Sequence, residues 1–215
     1  ASLVAVCSRN EQKIKAFAQE QGGLAWSTDY REILRRPDID AVAITLPHHL
    51  HESVGLEAAA AGKHILMEKP LAVTVEECDR LIGVCEKVGL TLATCFQGRY
   101  EALARKLHDD LQAGKLGRLL LASLAAKWYR DDAYYRSAAW RGRWATEGGG
   151  VLINQASHAL DMLLWLAGPN AGTDGWRIQT VTLTPDLVIR LADSQVQVYL
   201  EVYNDGDGKP SALYV

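Results

Sequence analysis

The chain has 215 residues, of which 48% are apolar and 23% charged, with a formal net charge of −3. That length can bury a real core in one large domain or two small ones, and the charge balance excludes the basic surplus of a nucleic-acid binder as well as an acidic tail. No apolar run approaches the roughly 20 residues of a membrane helix, and the start, Ala1-Ser2-Leu3-Val4, lacks the charged region and long apolar stretch of an export signal.

The first strand expected is Leu3–Cys7. The chain begins without methionine and runs straight into it, the pattern of a chain cut inside a domain. A helix over Glu11–Gln21 follows, then a short helical segment over Asp29–Arg36 ended by Pro37. Further strands fall at Ala41–Leu46, His64–Met67 and Leu90–Cys95, separated by helices near Leu50–Ala61 and Val75–Val88, with Gly62 and Gly89 where helix ends are capped. This alternation is the signature of βαβ units feeding a parallel sheet. The strands are apolar without strict alternation, so a sheet covered by helices on both faces is expected. Cys7, Cys78, Cys85 and Cys95 include no C-x-x-C pair and have no histidine at ligand spacing, and each lies in an apolar stretch or on a helix. They read as small, reduced core residues in a cytoplasmic protein, with no disulfide framework and no metal.

In open α/β sheets ligands bind beyond the carboxyl ends of the strands. The residues there are Ser8-Arg9, Pro47-His48-His49, Glu68-Lys69-Pro70 and Gln97-Gly98-Arg99. A hydroxyl followed by arginine suits the 2′-phosphate of a dinucleotide, whereas a carboxylate would suit free ribose hydroxyls. Lys69 would be desolvated under a ligand, which lowers a lysine pKa and fits it for proton transfer near neutral pH; the tripeptide alone reads rather as an exposed Glu–Lys pair of negligible energetic worth. Pro70 keeps Lys69 out of the helical region and raises the frequency of a cis bond to about 5%. The adjacent histidines His48 and His49 lack a third ligand at metal spacing.

From about Arg99 the rhythm changes, and a second domain, 99–215, is expected after a first of 1–98. It holds a helix over Glu101–Ala113, a β-type run over Leu119–Tyr129, an aromatic and arginine-rich stretch to Trp144, Gly148-Gly149-Gly150, and a helix over about Val151–Ala167 stopped by Gly168-Pro169. Two β-like runs separated by Ala192-Asp193-Ser194 close it, as antiparallel strands. On the nearly all-apolar helix, Asn154, His158 and Asp161 stand four and then three apart, on one face. Burying such groups unpaired costs several kcal/mol, so the stripe is either an internal network, with Asp161 fixing the His158 ring, or the lining of a cavity. The three glycines let a ligand or another chain segment approach the backbone.

Two stretches, Ala61-Gly-Lys-His-Ile-Leu-Met-Glu-Lys-Pro-Leu-Ala72 and Gly148-Gly-Gly-Val-Leu-Ile-Asn-Gln-Ala-Ser-His-Ala-Leu-Asp161, resemble the Gfo/Idh/MocA family of oxidoreductases. Thr45–His51 and Cys95–Tyr100 fit the same pattern. The resemblance implies a Rossmann-type, doubly wound parallel sheet lacking its first βα unit, followed by an α+β domain with a mostly antiparallel open sheet that mediates homo-oligomers, dimers or tetramers. It implies hydride transfer between NADP, or NAD, and a secondary hydroxyl of a sugar or cyclitol. By carry-over, Lys69 and His158 are the catalytic pair. Asn154, where many members carry aspartate, holds a substrate hydroxyl without accepting its proton. Arg99 stands with Asn154 and His158 toward the substrate. Ser8, Arg9, Pro47, His51, Glu68, Lys69 and Gln97 line the cofactor site, and Trp140-Arg141 either approach the nicotinamide end or pack at the domain junction. No G-x-G-x-x-G turn occurs anywhere in the 215 residues. Other activities known on this scaffold are NAD(P)-dependent glycoside hydrolysis and non-catalytic sensing of sugar or cofactor; a sensor has no need of a Lys69–His158 pair.

Overall fold

The alternating pattern is realised in the first of two compact units, Ala1–Cys95 and Phe96–Val215. The computed structural model describes residues 1–117, 121–126, 129–167, 177–178 and 198–203. In the first unit the order is β1 (Ala5–Cys7), α1 (Glu11–Glu20), β2 (Ala25–Ser27), α2 (Tyr30–Leu34), β3 (Ala41–Ile44), α3 (His51–Ala60), β4 (His64–Glu68), α4 (Val75–Lys87) and β5 (Leu92–Cys95). Short polar residues begin the helices. Asn10 Oδ1 accepts from the Lys13 amide (2.9 Å) and Asp29 Oδ1 from the Arg31 amide (3.0 Å), while Thr74 and Glu77 form a reciprocal capping box on α4.

All strand pairs of this unit are parallel. β1 pairs with β2, and β3, β4 and β5 pair in that order, with Ile44 opposite Met67 and Leu66 opposite Ala93. This is the Rossmann-like arrangement expected, with β2 the one strand that the sequence did not announce. Ile44, Ile65 and Met67 on one face meet Val54 and Ala58 of α3 and Leu81 of α4, with Leu34 completing the cluster. Burying side chains of this size contributes about 1.5–3 kcal/mol each, which fixes the helices to that face.

The other face departs from expectation. Burial alternates along β4, and Leu66 is 47% exposed, as are its neighbours Ala43 and Ala93 to varying degree. Because α3 and α4 cover the same face, the opposite one is bare among the described residues. The cysteines also differ from the expected uniform burial: Cys85 is buried, Cys78 and Cys95 are partly so, and Cys7 is exposed, all as free thiols.

Lys63 is a buried cation with an internal task. Its ammonium donates to the carbonyl oxygens of Arg36 and Ile39, both at 2.7 Å, and so closes the loop that leads into β3.

The second unit contains α5 (Ala102–Gln112), β6 (Leu121–Ala126), α6 (Asp132–Arg136), α7 (Trp144–Glu147), α8 (Ser157–Ala167), β7 (Arg177–Ile178) and β8 (Val198–Tyr203). Its sheet runs β6-β8-β7, antiparallel throughout, as expected for this domain. The ends of the run expected over Leu119–Tyr129, the Gly168-Pro169 stop and the Ala192-Asp193-Ser194 break lie outside the described residues. α8 begins at Ser157 and not at Val151, because residues 151–156 form turns whose bonds, such as Ala156 N to Val151 O (2.8 Å), do not follow the α-helical ladder. Asn154 therefore precedes the helix that carries His158 and Asp161.

Candidate functional site

At the carboxyl ends of the parallel strands the first unit gathers most of its expected ligand-facing residues. Ser8 follows β1 with its hydroxyl near the Asn10 amide (3.3 Å), and Arg9 is exposed between that strand and α1. Pro47, half-buried, leads from β3 into a 3-10 turn over His48–Leu50. Glu68 ends β4 and accepts from the Lys69 amide (3.0 Å); Lys69 and Pro70, joined by a cis peptide bond, are half-buried. From β5 the Cys95 thiol donates to Glu68, and burial and then that carboxylate push its pKa up. A thiol so held is a poor nucleophile.

The two adjacent histidines part company. His48 is buried and His49 exposed. His51 is fully buried, with Nδ1 2.7 Å from the Pro70 carbonyl oxygen and Nε2 2.7 Å from that of Leu46. Both ring nitrogens face main-chain carbonyl oxygens of the protein itself.

In the second unit, Gln97 is exposed in a 3-10 turn over Gln97–Tyr100. Arg99, in the same turn, pairs with Asp161 of α8 through Nε (2.8 Å) and Nη2, and its guanidinium stands over the rings of Phe96 (6.0 Å) and Trp165 (5.8 Å). The pair raises the Arg99 pKa further, the hydrogen bond to Asp161 being the main cause. Arg99 thus has a partner inside the unit, where the substrate was expected, and Asp161 has one besides any it makes to the His158 ring. His158, one helical turn before Asp161, meets Phe96 edge to face at 5.9 Å. Lys69 and His158 belong to different units.

Asn154 is buried, and its amide donates to the carboxylate of Glu147, itself 3% exposed. Glu147 also accepts from the Gly142 amide at 2.5 Å. Glu147 was not legible beforehand, since an acid one residue before a glycine run has no periodic signal. The glycines have local duties: Gly148 ends α7 in the left-handed region (φ +85°), and a Cβ on Gly149 would stand 3.0 Å from the Ile153 side chain.

Trp140 and Arg141 sit beside α6. The Arg141 guanidinium lies over Tyr134 (4.4 Å) and Trp140 (4.8 Å), and Nη1 donates to the Tyr134 hydroxyl (2.5 Å). Its Nε is buried with no hydrogen-bond partner among the described residues. An orphaned buried N–H costs on the order of 1–3 kcal/mol, which an incoming acceptor would recover. No group of three potential metal ligands occurs among the described residues, and no helix there is long and apolar enough to cross a membrane.

Residues 1–96 match the model of an oxidoreductase family with an NAD-binding Rossmann fold, and residues 104–202 match the GFO/IDH/MocA C-terminal domain. The chain is 31% identical over 161 residues to 1,5-anhydro-D-fructose reductase of Ensifer adhaerens, covering 75% of this chain and 47% of that one. It is 33% identical over 166 residues to levoglucosan dehydrogenase of Pseudarthrobacter phenanthrenivorans, covering 76% and 42%. Among solved structures, the WlbA dehydrogenase of Bordetella pertussis in complex with NADH and UDP-GlcNAcA superposes with a TM-score of 0.70 at 32% identity, over 79% of this chain and 52% of that one. The chain therefore spans about half the length of the relatives it matches.

Proposed function

Because the chain belongs to the Gfo/Idh/MocA family of oxidoreductases, we propose that its protein transfers a hydride between a nicotinamide dinucleotide and a secondary carbinol of a sugar or cyclitol. The observation that carries this reading is the placement of Ser8-Arg9, Pro47 and Glu68-Lys69 at the carboxyl ends of β1, β3 and β4, the rim where open parallel sheets bind ligands. The buried Nε of Arg141, which has no hydrogen-bond partner among the described residues, supports it as a donor to an acceptor on a bound molecule.

In the oxidising direction the carbinol C–H leaves with its electron pair and the hydroxyl loses its proton, giving a carbonyl. The nicotinamide, when bound, accepts the hydride at C4. This chain supplies the proton acceptor, His158 or Lys69, and Asn154 holds the substrate hydroxyl. Pro47, Glu68, Lys69 and Gln97 border the dinucleotide, and Trp140 and Arg141 meet its nicotinamide end or the substrate. The exposed Arg9 beside Ser8 favours NADP over NAD through a charge-assisted contact to a 2′-phosphate. Association into a dimer or tetramer through the antiparallel sheet belongs to the same reading.

Titration of the whole protein with NADPH and NADH, followed by tryptophan quenching, tests it. A charge-assisted contact contributes about 1.5–3 kcal/mol, so NADPH should bind at least about tenfold tighter, a preference lost in Arg9→Ala. Lys69→Met should abolish turnover while leaving NADPH affinity within about twofold. Binding of neither dinucleotide, or near-normal turnover by Lys69→Met, overturns the proposal.

A further inference from the structure

His51 is the first residue of α3 and has no exposed surface. Its Nδ1 faces the carbonyl oxygen of Pro70 and its Nε2 that of Leu46, each at 2.7 Å. A carbonyl oxygen has only lone pairs to offer. A neutral imidazole carries one N–H and one lone pair, so in either tautomer one nitrogen would set its lone pair against an oxygen at 2.7 Å. Both contacts are hydrogen bonds only when both nitrogens carry protons.

We infer that His51 is held as an imidazolium that ties the chain after β3 to the chain after β4, and that this clamp positions Lys69. Leu46 immediately precedes Pro47, and Pro70 immediately follows Lys69. One buried cation therefore sets the spacing of two of the strand ends that the proposed function assigns to the cofactor and to proton exchange, and the inference rests on that assignment of Lys69. His51 is a positioning residue: neither ring nitrogen is left to touch a ligand.

The elements that adjoin α3 and the two clamped stretches carry the following charged and titratable groups. His48, on the preceding 3-10 turn, has its ring 5.8 Å away at 57°. Glu52, next in α3, is paired with Arg80 of α4 at 2.6 Å. Glu68 ends β4 and Lys69 follows it, and β5 contributes Cys95, hydrogen-bonded to Glu68. The clamp needs an N–H on each ring nitrogen, so a neutral imidazole breaks it. One carbonyl must then move away or the ring must turn.

The test is a nitrogen-15 spectrum of the imidazoles in the whole protein, uniformly labelled, across pH 5.5–9. At pH 5.5–6.5 both nitrogens of His51 should show the protonated shift, with slowly exchanging N–H protons, and the Leu71 amide after Pro70 should move in step with any change in them. A lone-pair nitrogen shift on His51 at pH 5.5–6.5 overturns the imidazolium, whatever the protein catalyses. A second arm uses His51→Asn, which keeps one donor. It should lower kcat by about 100-fold through misplacement of Lys69, while NADPH affinity changes by less than about threefold. Unchanged kcat in a folded His51→Asn protein removes the positioning role. Failure of Lys69→Met to affect turnover would instead discredit the assignment of Lys69 and leave the nitrogen-15 result standing.

Discussion

Replacing Asn154 with aspartate should destabilise this protein in a manner that depends on pH. Asn154 and Glu147 are 7% and 3% exposed, and the amide nitrogen of one donates to a carboxylate oxygen of the other. An ionised carboxylate only accepts, so the amide must present its NH2 to Glu147. Asn154→Asp puts two carboxylates in hydrogen-bond contact in a buried place. At an effective dielectric of about 20 and a separation of about 4 Å their repulsion is roughly 4 kcal/mol, so the pair holds one proton more readily in the folded protein than in the unfolded chain. A folded-state carboxyl pKa raised above its unfolded value means that the folded protein binds the extra proton. Its penalty is then full at pH 8 and shrinks as pH falls through the raised value. Urea unfolding, followed by near-ultraviolet circular dichroism, should give a wild type minus variant difference of about 3–4 kcal/mol at pH 8 and under about 1.5 kcal/mol at pH 5. Adding Glu147→Gln restores a donor facing a carboxylate, and should recover most of the loss at pH 8. Equal differences at the two pH values, or no recovery in the double variant, would refute the pairing of Glu147 with Asn154.

Two further perturbations test the scaffold. Lys63→Met leaves the carbonyls of Arg36 and Ile39 without their shared donor and should cost about 2–4 kcal/mol, read as a lowered denaturation midpoint. Arg31, and secondarily the Tyr30 hydroxyl, hold the Glu57 carboxyl below its usual range; the stability they add is present above the unfolded carboxylate pKa and is lost as pH falls through the lowered one. In Arg31→Ala, carbon-13 titration should show Glu57 moving up toward its ordinary value, and no movement would remove Arg31 as the main cause.

How much of this was legible in the sequence varied with the range of the forces involved. Helices set by local capping and periodicity, such as Val75–Lys87 behind Thr74, were legible to within a residue. β2 was not, because Ala25-Trp26-Ser27 is too short to show alternation and exists through its pairing with β1. The run at Val151 reads as helix by composition, yet the chain turns irregularly until Ser157, where tertiary contacts prevail over propensity. Long-range partnerships were the least legible. Arg99 and Asp161 are 62 positions apart, and His51 is satisfied by main-chain carbonyls, which leave no mark on residue types. Lys69, Asn154 and His158 were found as chemistry-bearing residues in apolar surroundings; the Glu147 carboxylate beside Asn154 was not.

The bare face of the β3–β4–β5 sheet bears on how these residues behave in water. Leu66 lies on the middle strand with Ala43 and Ala93 beside it, and the outer edges of β1 and β3 have no strand partner among the described residues. Such edges carry rows of unanswered N–H and C=O groups, and next to an apolar surface they are sticky toward any extended chain. Preparations made from these residues alone should bind hydrophobic dyes and clump as concentration rises. A lysine at position 66 is the simplest remedy that leaves the strand-end residues in place.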